Sequence, residues 1–110
     1  MTRCKFDMTN LDLECIGHAS EGEDKSICAA LTSLALTLAF NIDQAADLLE
    51  EKEVRIESGY YHIRVKPKED ARDQIEYLFT VFINGIYMLS EDPELKKHIT
   101  LEVVSDNSEI

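Results

Sequence analysis

The sequence predicts an α+β fold with elements in the order ββαββαβ: an antiparallel sheet with two long helices packed on one face. Three patterns carry this. Two pairs of short stretches alternate apolar and polar residues about a turn signal. Two long stretches repeat apolar residues at helical spacing. A last short stretch alternates again.

From Arg3 to Gly17 the chain alternates, with Cys4, Phe6 and Met8 on one apolar parity and Leu11, Leu13 and Cys15 on the next. A two-residue turn at Thr9-Asn10 pairs Met8 with Leu11, Phe6 with Leu13 and Cys4 with Cys15, each apolar against apolar. Asp7, Asp12 and Glu14 then face outward, and Gly17-His18-Ala19 falls at the far rim. Ser20 to Lys25 is polar and reads as a loop, with Asp24 or Ser26 able to cap the following helix. In that helix Ile27, Leu31, Leu34 and Leu38 form an apolar stripe that Ile42, Ala45, Ala46 and Leu49 continue, so it is expected to end near Lys52. Val54 and Ile56 then face Tyr61 and Ile63 across a turn at Ser58-Gly59, a second hairpin. After Pro67, residues Ile75, Leu78, Phe79, Phe82, Ile83, Ile86 and Leu89 define helix two, running toward Ser90. Ile99, Leu101 and Val103 alternate as the last strand, and residues 105–110 are expected to fray.

With 110 residues the chain is long enough for one domain, 1–110, and one core. Its 11 Lys and Arg against 22 Asp and Glu leave a net charge of −11, which repels nucleic acid and anionic lipid. The uncharged run from Ile27 to Ile42 is too short and too polar to span a membrane. The first residues alternate in charge and do not form a signal peptide, so a cytoplasmic protein is expected. Three cysteines, an odd number with no zinc-ribbon spacing, indicate neither a disulfide framework nor a structural metal, and no cofactor is implied.

Cys28 falls in the first turn of helix one, where unpaired backbone N–H groups and the helix dipole make a thiol a better nucleophile. His18, ten residues earlier, is the base that could take its proton and return it to a leaving amine. Small neighbours, Gly17 and Ala19 beside the His and Ala29 after the Cys, leave room for an extended peptide, and helix-start amides could hold an oxyanion. Against this stands the ordinary reading of a buried Cys and a surface His. Asp24 either orients His18 or caps the helix. Cys4 and Cys15 read as small core hydrophobes, His62 and His98 as strand-surface residues, and Tyr60 and Tyr61 as either groove-lining or edge-covering.

Gly17-His18-Ala19, an acidic Gly-containing loop, and Asp24-Lys25-Ser26-Ile27-Cys28-Ala29-Ala30-Leu31-Thr32 together resemble the ribosomal-processing cysteine proteases, the Prp family. Ser58-Gly59-Tyr60-Tyr61-His62-Ile63-Arg64-Val65 is similar to that family's second hairpin, so the resemblance covers nearly the whole chain. It implies a cytosolic, homodimeric cysteine endopeptidase that removes a short N-terminal extension from a large-subunit ribosomal protein. It also implies that Cys28 is the nucleophile and His18 the base. A basic ribosomal partner suits the acidic charge. The chain departs from the family in its shorter loop, in Lys25 three residues before Cys28 where members often carry Asp, and in Thr32 where members usually have Ser. The competing expectation is a non-catalytic acidic protein that binds a basic ribosomal protein or another partner.

Overall fold

The computed structural model describes residues 1–17 and 26–104, the side chains of residues 26 and 27 excepted. Among the described residues the order is β1 (Thr2–Asp7), β2 (Asp12–Ile16), α1 (Ser26–Gln44), β3 (Leu49–Glu57), β4 (Tyr60–Pro67), α2 (Arg72–Glu91) and β5 (Ile99–Val104). This is the expected α+β order. The strands lie side by side as β3-β4-β2-β1-β5.

Both hairpin registers follow the apolar alternation. Cys4 faces Cys15 and Phe6 faces Leu13 in the first; Val54 faces Ile63 and Ile56 faces Tyr61 in the second. One face of the sheet is therefore apolar, and it joins Leu31, Leu38 and Ile42 of α1 and Ile75, Phe79 and Ile86 of α2 in a single buried cluster. Phe79 stacks on Phe6 with ring centroids 5.5 Å apart. The two helices thus cover the same side, because that is the side their stripes can bury. The opposite face carries Asp12, Glu14, Glu53, His62 and Arg64 in polar contact with one another and with Tyr60.

The sheet is mixed, not wholly antiparallel: β5 runs parallel to β1. The reason is connection parity. A helix that carries the chain back along a strand brings the next strand in parallel to the last one. So β5 is parallel to β4, and β4 is two antiparallel steps from β1.

Three local readings change. Helix one ends at Gln44, not near Lys52; a short 3-10 turn at Ala46–Leu48 follows, and Leu49 to Lys52 belong to β3. Glu51 and Lys52 pair with Lys66 and Val65, so ladder bonds claim a stretch whose charged side chains suit either state. Helix two starts at Arg72, since Pro67 closes β4 and a 3-10 turn at Glu69–Ala71 intervenes. Met8 and Leu11 do not pair, because the first ladder stops at Asp7 and Asp12. The Asp7 carboxylate accepts from the Thr9 and Asn10 amides, at 3.0 and 3.1 Å, and fixes a four-residue turn. Leu11 takes φ 49° there and turns fully into the core, while Met8 stays exposed.

Candidate active site

Cys28 is the third residue of α1, in its first turn, and its side chain is half-buried at the edge of the core. It opens on a cleft of about 350 Å³. Leu31 and Thr32 of α1 continue that wall. The start of β1 at Thr2, the residue just past β2 at Gly17, and the tip of the second hairpin from Ile56 to Gly59, with Tyr61, complete it.

Gly17 is the fixed point of this rim. Its φ of +111° suits glycine, and a Cβ there would lie 2.5 Å from the Met1 carbonyl oxygen, so no other residue fits without movement. Its N–H donates to the Gly59 carbonyl at 2.9 Å, and its own carbonyl accepts from the Thr2 hydroxyl at 3.2 Å. Two hairpin ends are thereby joined beside the first turn of α1. In that first turn the leading backbone N–H groups have no intrahelical acceptor.

Of the residues expected at the site, Cys28, Gly17 and Thr32 line one cleft. Ala29 is exposed and is not part of the lining. His18, Ala19 and Asp24 lie outside the described residues, as do residues 105–110. Sequence reasoning missed Thr2, the only buried polar residue among those described, and left Tyr61 undecided. Tyr61 is buried on the cleft side, with its hydroxyl bonded to that of Thr32. The signal that could have found it is register, since Tyr61 stands opposite Ile56 and Cys15 on the apolar parity.

The other candidates lie elsewhere. Cys4 and Cys15 are buried partners across β1 and β2, and the hydrogen bond the Cys15 thiol makes with Cys4, with burial, pushes its pKa far up, holding it protonated. His62 is on the outer face, its Nε2 2.8 Å from Asp12 Oδ1 and its Nδ1 4.0 Å from Glu53. Tyr60, on the same face, donates to Glu14 at 2.8 Å, and that bond raises its phenol above the usual range. The backbone of His98 accepts from the Thr2 amide at the end of β1. No group of three His, Cys, Asp or Glu side chains among the described residues could hold a metal ion. No helix among them is long and apolar enough to cross a membrane.

Solved structures share this fold. The essential ribosomal processing protease Prp from Staphylococcus aureus, in complex with a covalently linked product peptide, superposes with a TM-score of 0.73 at 18% identity over 94% of this chain and 100% of that one. The same protease with a substrate peptide gives 0.64 at 16% identity over 94% and 100%. The Streptococcus mutans protein SMU.848 gives 0.68 at 22% identity over 96% and 93%. No protein-family model matches the sequence, and none of the curated proteins does. At these identities the likeness is one of fold: this chain has the fold of Prp, as its residues led us to expect.

Proposed function

We propose that this protein is a cytoplasmic cysteine endopeptidase, working as a homodimer, that removes a short N-terminal extension from a large-subunit ribosomal protein during ribosome assembly. One observation carries the reading: Cys28, at the start of α1, and Gly17, the residue immediately before His18, line the same cleft. That a structural neighbour binds a peptide product covalently supports the same chemistry on this frame.

The reaction follows from the residues. His18 takes the Cys28 proton, and the sulfur attacks the scissile carbonyl carbon. The backbone amides of the first turn of α1 stabilise the oxyanion. Collapse breaks the C–N bond, His18 returns its proton to the departing amine, and a thioester remains on Cys28. Water, deprotonated by His18, hydrolyses the thioester and restores the thiol. The net charge of −11 draws in a basic ribosomal protein over long range.

The test is mass spectrometry of synthetic N-terminal peptides of large-subunit ribosomal proteins after incubation with the enzyme. A single cut is expected, lost by about a thousandfold or more in Cys28→Ala and in His18→Ala. Cleavage that survives Cys28→Ala would refute the proposal. Tight binding with no cleavage by the wild type would leave the non-catalytic binding protein as the better account.

A further inference from the structure

The cleft wall formed by Leu31 and Ile56 is apolar, yet one polar pair stands in it, the hydroxyls of Thr32 on α1 and Tyr61 on β4. Tyr61 is 9% exposed, so its ring is packed and its hydroxyl has little access to water except through the cleft. Two hydroxyls bring two O–H donors to a contact that uses only one of them. Among the described residues neither oxygen has a second hydrogen-bond partner. A role limited to tying β4 to α1 accounts for the contact and leaves the second donor without an acceptor among the described residues.

A phenol is the stronger donor and an aliphatic hydroxyl the stronger acceptor, which favours Tyr61 donating to Thr32 Oγ1; the Thr32 hydrogen then has no acceptor among the described residues. Hydrogen bonds in series polarise one another, which makes that remaining hydrogen a better donor. Thr32 is one helical turn beyond Cys28 and lines the same cleft. A peptide drawn across the Cys28 thiol would meet it.

We infer that Tyr61 is a positioning residue for peptide substrate: its phenol holds and polarises the Thr32 hydroxyl, which donates to a backbone carbonyl oxygen of an extended peptide in the cleft. The inference rests on the peptidase reading above and adds to it a residue that acts only through Thr32. The group recognised is the peptide carbonyl, common to any sequence, so the pair contributes to holding the chain and not to selecting a side chain.

The experiment uses the ribosomal-protein peptide that the wild type cleaves, with Tyr61→Phe, Thr32→Val, Thr32→Ser and the double variant Tyr61→Phe/Thr32→Val. Tyr61→Phe removes one oxygen and is expected to raise KM about fivefold with kcat little changed, the size expected of one hydrogen bond. Thr32→Val is expected to raise KM roughly tenfold, with Thr32→Ser restoring it. In the Thr32→Val background Tyr61→Phe should have no further effect on KM. The rate at which iodoacetamide labels Cys28 should hold in Tyr61→Phe. An unchanged KM in Tyr61→Phe, or additive losses in the double variant, would overturn the inference while leaving the peptidase reading standing. A wild type that neither cleaves peptide nor labels at Cys28 would overturn both.

Discussion

Cys28 and the Cys4/Cys15 pair lie in one frame and have opposite surroundings. Cys4 and Cys15 face each other across two strands, each 3% exposed, in the same buried cluster as the stacked pair Phe6 and Phe79. There a thiol is a small hydrophobe, and Cys15 keeps its proton through its bond with Cys4 and through burial. Cys28 is half-buried at a helix start and opens on a cleft. What separates a packing residue from a candidate nucleophile is thus which layer its Cβ enters. Strand parity decides that for the pair, and the α1 start decides it for Cys28.

The contrast is sharpened first by Phe79→Ala, which should leave the cleft chemistry alone and damage the core. A fully buried, stacked ring is lost, so stability to urea should fall by about 3–5 kcal/mol. A change too small to measure would mean the core that holds Cys4 and Cys15 is not packed as described. Gly17→Ala acts where the two regions meet. Its Cβ has no room beside Met1 and its φ is unfavourable, so unfolding free energy should drop by roughly 1–3 kcal/mol and peptide cleavage should fall with it. Full activity in this variant would show that the Gly17 rim does not shape the cleft. Cys15→Ser places a stronger polar group among apolar neighbours and should cost about 1–2 kcal/mol by chemical denaturation, with kcat/KM retained.

The smallest effect is at the far turn. The side-chain bond from Asn10, helped by the Asn10 and Thr9 amides, holds the Asp7 carboxyl below its ordinary value of 3.8. A carboxyl depressed in the folded state stabilises above its unfolded pKa, and that contribution is lost as pH falls through the folded one. Wild type should therefore lose slightly more melting temperature than Asp7→Asn between pH 5 and acid below about pH 3. Parallel melting curves for the two proteins would contradict the assigned role of Asp7.

Much of the fold could be read from the chain because period-two alternation admits one register per hairpin: shifting Cys4 off Cys15 or Val54 off Ile63 would turn every apolar residue outward. The end of α1 could not be read, since Glu50, Glu51 and Lys52 are solvated as helix or as strand and only the ladder with β4 decides. The parallel pairing of β5 depends on how the chain crosses the sheet, which no local pattern records. Leu11 leaves the expected pairing because a left-handed leucine is rare and only the Asp7 turn makes it necessary. At the site, Cys28 was legible from its place at a helix start, and Gly17 from its place in the Gly17-His18-Ala19 motif. Tyr61 was not, because its hydroxyl gains meaning only from Thr32, 29 residues away in the chain.

In the proposed reaction Cys28, and neither core thiol, is an activated nucleophile served by His18. Iodoacetamide labelling of the native protein at neutral pH, with the sites located by mass spectrometry, is the direct test. Label is expected on Cys28 alone, with Cys4 and Cys15 reacting only after unfolding, and at a rate that falls about tenfold or more in His18→Ala. A Cys28 that labels no faster than a free cysteine and is indifferent to His18→Ala would contradict it.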